Sequence, residues 1–137
     1  MYLADSRFQI RPATKDDVPA MTDVFFHSFN APFWQYFIPD TPYMRRWWDE
    51  AWTIGLDNPT DRTFVAVDTA NSDKVIGFSR WMAPQDDGNQ ERKWPDMAPE
   101  DQWDMEIVGR FFGGMDENRK ELMGTKPHWS TLDTLEA

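Results

Sequence analysis

The alternation of apolar and polar positions is sharpest between residues 63 and 83, where two apolar runs flank a polar connection, Thr69 to Asp73. In the first run Phe64 and Ala66 alternate with Val65 and Val67. In the second, Val75, Gly77, Ser79 and Trp81 alternate with Ile76, Phe78, Arg80 and Met82. Period two, β-branched and aromatic content, and a short Asn/Ser/Asp turn predict a β-hairpin.

Before the hairpin the pattern is mostly helical. Phe8-Gln9-Ile10-Arg11 alternates and is stopped by Pro12, which reads as a short first strand at a sheet edge. Thr14 followed by Asp17 offers a cap and an acid for the positive end of a helix. Val18, Met21, Val24, Phe25 and Phe29 then recur at helical spacing, so a helix is expected over 15–29, with Pro32 helping to stop it. An aromatic loop, Phe33 to Phe37, leads to a second helix over 42–56, capped by Asp40 or Thr41. Its apolar face is Met44, Trp48, Ala51 and Trp52, broadened by Trp47, and Asn58-Pro59 closes it.

After the hairpin the composition changes. Residues 84–106 hold three prolines and eight acidic side chains against Arg92 and Lys93, which predicts a solvated loop anchored by Trp94 and Met97. A third helix is expected over 103–123, with a break near Gly113-Gly114 because glycine weakens helices. Gly124 and Pro127 are stop signals. A last strand is expected over 129–135.

Length and composition narrow the function classes. A chain of 137 residues favours one domain, and the 8 Trp and 10 Phe exceed what a minimal core needs. The formal net charge of -10 lacks the basic footprint of a nucleic-acid binder and opposes anionic membranes. With no cysteine, thiolate catalysis and disulfides are excluded. No apolar stretch approaches a membrane span, so the expectation is a cytoplasmic protein. His27 and His128 show no metal-ligand spacing, no phosphate-binding glycine loop is present, and no carboxylate pair has a spacing that singles it out for glycosidase chemistry.

Several stretches together resemble a known family. Ile10-Arg11-Pro12-Ala13-Thr14, Asp16-Asp17 and Phe25 to Phe29 look like the opening of a GCN5-related N-acetyltransferase. Phe64-Val65-Ala66-Val67-Asp68 and Val75-Ile76-Gly77-Phe78-Ser79-Arg80-Trp81 resemble its second and third strands. His128-Trp129 and Leu132-Asp133-Thr134-Leu135 resemble the start of its fourth strand, as in fungal members. The resemblance implies an α+β domain in the order β1-α1-α2-β2-β3-(inserted loop and helix)-β4, with a mostly antiparallel sheet. It also implies acetyl-CoA as donor and a small-molecule amine as acceptor.

Carried over by position, Asp133 matches an acidic fourth-strand residue suited to general-base work, and Glu106 is a looser candidate. The backbone of Thr134 and Leu135 matches the part that meets the pantetheine arm. Phe29, Phe33, Trp34 and Trp81 match the acceptor-side wall. One departure stands against these matches. The family's Gln/Arg-x-x-Gly-x-Gly/Ala loop, whose amides receive the coenzyme A pyrophosphate, does not occur, and Ala137 is the last residue.

The expectation is therefore a single domain over 1–137 that stops before this loop. Such a chain would bind no cofactor and be inactive by itself. An open β4 edge would then pair with a second copy or a complementary fragment. The alternatives are a non-enzymatic interaction protein built on the half-fold and a small-molecule-binding cone of the nuclear-transport-factor type.

Overall fold

The computed structural model describes residues 7–89, 93–96, 98–99 and 101–136, and for 132–136 the backbone alone. Four strands, β1 (Phe8–Pro12), β2 (Asp61–Asp68), β3 (Lys74–Met82) and β4 (Ser130–Glu136), form one sheet in the order β1-β2-β3-β4. Every adjacent pair is antiparallel. Three helices, α1 (Val18–Ser28), α2 (Pro32–Phe37) and α3 (Pro42–Asp57), lie between β1 and β2, and α4 (Met105–Met123) lies between β3 and β4. This α+β architecture has the element order and mostly antiparallel sheet that the resemblance implies.

Local chemistry explains the boundaries. The backbone N–H of Thr14 donates to the Asp17 carboxylate at 2.8 Å, which fixes a one-turn 3-10 helix ahead of α1. The Thr41 hydroxyl accepts from the Met44 amide at 3.1 Å, so Thr41 caps α3. The connection 69–73 is a tight turn in which Ser72 and Asp73 take positive φ, 54° and 55°.

Four expectations change. The aromatic stretch is not a loop. Pro32 ends the first helix and, with its fixed φ, occupies the first turn of α2, so Phe33 to Phe37 become helical. Helix α4 runs through Gly113-Gly114 without a break. The Asp104 carboxylate caps it by accepting from Ile107, and Glu106–Arg110 and Asp116–Lys120 ion pairs, both 2.7 Å, brace it.

The hairpin alternation also shifts. Ala66 faces Gly77 but Val67 faces Val75, leaving Ile76 as the extra residue of a β-bulge. Val75 therefore joins Phe78, Arg80 and Met82 on the buried side. Among the described residues of the acidic segment Gly88, Asn89, Pro95, Ala98 and Trp103 are buried, while Trp94 is 39% exposed and Met97 lies outside the described residues.

The core sits between the sheet and helices α1 and α3. Helix α3 contributes Met44, Trp47, Trp48, Ala51, Trp52 and Gly55, a face repeating every three or four residues. Trp48 stacks on Trp52 with centroids 4.9 Å apart, and Phe25 of α1 closes on Trp48 at 4.2 Å. Each such aromatic stabilises the fold by about 1.5–3 kcal/mol through burial. Helix α1 packs against β3 and β4, and α3 against β2. Only Val108 of α4 is buried, so this helix stands off the core.

A candidate small-molecule cavity

Because α4 stands off, a cavity of about 750 Å³ lies between it, α3, the 94–103 segment and the start of β4. Trp47 and Trp48 come from α3 at adjacent positions, their rings 5.0 Å apart and near-perpendicular. Trp94 lies parallel to Trp47 at 6.3 Å, and Trp103 leans on Trp47 at 5.1 Å. Phe112 of α4 and Trp129 before β4 complete an aromatic lining. Gly109 and Gly113 present bare backbone to the same space, and a Cβ on either would meet nothing within 4 Å. Predominantly apolar walls with a few convergent polar groups are the usual composition of a small-molecule site.

The polar groups are Asp116, Arg119, His128, Ser130 and Thr131. Arg119 donates from Nη1 to the Gly88 carbonyl at 2.6 Å and from Nη2 to Asp116 at 2.7 Å. Asp116 is also held by Lys120 at 2.7 Å. Hydrogen bonds from Lys120 and Arg119 hold the Asp116 carboxyl below the ordinary carboxylate range.

The His128 Nδ1 lies 2.7 Å from the Lys126 carbonyl oxygen. A carbonyl only accepts, so Nδ1 carries a proton, and in the neutral form of the ring the lone pair lies on Nε2. Asn89, fully buried, fixes this corner: its Nδ2 donates to the His128 carbonyl at 2.6 Å and to Ser130 Oγ at 2.9 Å. Asn89 takes φ 62°, a conformation asparagine tolerates.

Three cavity residues carry buried polar atoms without a partner: Trp48 Nε1, Arg119 Nε and His128 Nε2. Each such orphan costs about 1–3 kcal/mol. That cost is tolerated where a bound molecule offsets it, and the three residues that carry these atoms line one space.

The sequence-based site residues whose side chains are described do not line this cavity. Phe29 and Trp34 meet at 4.6 Å with rings tilted by 58°, and Phe33 joins Trp34 at 5.1 Å, in a cluster with Phe37 and Phe111. None of the three lines the cavity. Trp81 is half-buried on β3, where its Nε1 donates to Ser79 Oγ at 3.2 Å, and it too stays outside the cavity. Glu106 is exposed on the first turn of α4, pairs with Arg110, and borders a second space beside Tyr36 and Asp104. The backbones of Asp133, Thr134 and Leu135 face Arg80, Ser79 and Phe78 across the β3–β4 ladder, and their side chains lie outside the described ones.

The cavity residues had weak sequence signals. Trp47 and Trp48 read as a helix face, His128 as a lone histidine before a strand. Asp116 and Arg119 carry the one pattern that helps, an acid three positions before an arginine on a helix. Among the described residues no cluster of His, Cys, Asp or Glu suits a metal ion, and His27 is exposed on α1. No helix among them is long and apolar enough to cross a membrane.

No family model and no curated protein matches the chain. Among solved structures, one described as histone acetyltransferase HPA2 and related acetyltransferase from Corynebacterium glutamicum aligns over 96% of this chain at 16% identity, with a TM-score of 0.49. The chain spans 61% of that protein's length.

Proposed function

We propose that the cavity binds a small organic amine, as the acceptor-binding part of an acetyltransferase-like protein. The observation that carries this reading is His128. Its ring lines the cavity at the entrance to β4, its tautomer is set by the Lys126 carbonyl, and its Nε2 lone pair has no partner. An amine N–H is the donor such a lone pair lacks. The indole walls suit the apolar body of the amine, and the net charge of -10 attracts a cation from solution.

Acetyl-CoA is the donor that the resemblance implies, but the residues present do not fit it. The 137 residues contain no Gly-x-Gly/Ala pattern whose amides could receive its pyrophosphate. No acyl-transfer step is therefore derived. The outer edge of β4, unpaired among the described residues, is the proposed place for a further strand, supplied by a second copy or another polypeptide.

Intrinsic fluorescence tests the amine site, because Trp47, Trp48, Trp94, Trp103 and Trp129 all border it. Titration with phenethylamine or phenylalanine is expected to give a saturable change that His128→Ala weakens. A flat response to both amines overturns the reading. Calorimetry with acetyl-CoA is expected to show negligible binding, and micromolar binding competed by coenzyme A would point to a catalytic chain instead.

A further inference from the structure

The amine reading uses the lone pair of His128 and leaves the opposite chemistry of the cavity unassigned. Arg119 lines the same space with a side chain only 11% exposed, and its Nε–H is buried without an acceptor. Trp48 supplies a second buried N–H with no acceptor. Moreover, one carboxylate, Asp116, serves two cations, Arg119 and Lys120. Among the described residues that line the cavity Asp116 is the only acid, in a chain whose overall charge is strongly negative.

Resting on the amine reading, we infer that the ligand is an amino acid or a close amino-carboxylate: an apolar body among the indoles, an amine at His128 and a carboxylate at Arg119. A carboxylate accepts from guanidinium N–H groups and would add a second negative charge beside Arg119 and Lys120, which share Asp116. Arg119 is well prepared for this. Its Nη1 and Nη2 are tied to Gly88 and Asp116, so the guanidinium plane is fixed before a ligand arrives. Gly88 itself lies so close to the end of α4 that a Cβ would sit 2.1 Å from the Gly124 carbonyl oxygen, which requires glycine there. Preorganised donors lose little on binding.

Three probes of one body separate the parts: phenylalanine, phenethylamine, which lacks the acid, and 3-phenylpropionate, which lacks the amine. They are titrated into the full chain by calorimetry. Phenylalanine is expected to bind at least about tenfold more tightly than phenethylamine, with the difference lost in Arg119→Gln and reduced in Arg119→Lys, which keeps the charge but not the planar fork. The ligand comparison on the unaltered chain stands even if a variant misfolds. Phenethylamine binding as tightly as phenylalanine would overturn the carboxylate site and leave the amine reading standing. 3-Phenylpropionate binding as tightly as phenylalanine would support the carboxylate site and sink the amine reading. No binding by any of the three overturns both.

Discussion

Arg80 and Asp61 form an ion pair at 3.0 Å inside the core, with side chains 3% and 2% exposed. Arg80 of β3 lies opposite Thr63 of β2, and its guanidinium rests over the rings of Trp52 and Trp94 at 5.7 and 5.2 Å. Its Nε and Nη1 have no hydrogen-bond partner. Removing one partner alone strands a buried charge, so Asp61→Ala is expected to cost about 3–5 kcal/mol. Replacing both, as Asp61→Leu with Arg80→Met, is expected to cost much less than the sum. Urea denaturation of the two single variants and the double gives the coupling directly.

Gly55 and Gly113 are both interior helix glycines, yet alanine should act with opposite sign at the two. At Gly55 a Cβ would lie 2.6 Å from Arg80 Nη2 and 2.7 Å from its Cζ. That guanidinium is pinned by Asp61, so Gly55→Ala is expected to destabilise by about 1–3 kcal/mol through overpacking. At Gly113 nothing lies within 4 Å, and alanine is expected to stabilise by about 0.5–1 kcal/mol through helix propensity. Thermal melts of the two variants against the parent show the signs.

Acid should weaken the fold through Asp17. This carboxylate is 8% exposed and takes two hydrogen bonds from Arg11, at 2.7 and 2.8 Å, which with the Thr14 amide hold its pKa below the ordinary 3.8. A depressed carboxyl pKa contributes stability that is complete above about pH 4 and is lost as the pH falls through the depressed value. Asp68, hydrogen-bonded by Arg7, and Asp116 are lowered in the same direction. Asp17→Asn is expected to cost about 1 kcal/mol at pH 7, Arg11 being partly solvated, and to flatten the stability profile below pH 4. Denaturant midpoints measured from pH 2.5 to 7 check both.

Asn89 joins the 84–89 connection to the start of β4 and should matter beyond its size. Asn89→Ala loses the bonds to His128 and Ser130 and must keep a positive φ, with an expected cost of about 2–4 kcal/mol. Asn89→Gly keeps the backbone freedom and loses only the bonds, so it is expected to be milder. If the two variants prove equally unstable, the backbone conformation contributes nothing and the hydrogen bonds carry the whole effect.

The fold was legible where burial follows a regular period. The hairpin, α1, α3 and α4 could be read because Val65, Val67 and Phe78, or Met44, Trp48 and Trp52, repeat at strand or helix spacing. The bulge at Ile76 was not legible, since one inserted residue reverses the parity of everything behind it while leaving composition unchanged. Proline misled once: Pro32 stops one helix and starts another, and the residue type does not say which dominates. The site was mostly illegible. Its residues, Trp47, Trp94, Arg119 and His128, are brought together by the stand-off of α4 from the core, a tertiary distance that no spacing encodes. Alternation did place Arg80 in one row with Phe78 and Met82, but nothing pointed to Asp61 as its partner.

Strands that lie side by side in chain order let the sheet assemble outward from its most local pair. The β2–β3 turn spans a few residues, whereas β1 can join only after a long helical excursion closes, at a larger loop entropy. The hairpin is therefore expected to belong to the folding nucleus, with β1 and α4 docking afterwards. Substitutions at Val65 or Phe78 should slow refolding, while those at Ile10 or Val108 should mainly speed unfolding, as chevron plots would display. The cavity, closed on one side by the late-docking α4, would then be the last part of the molecule to form and the first to open.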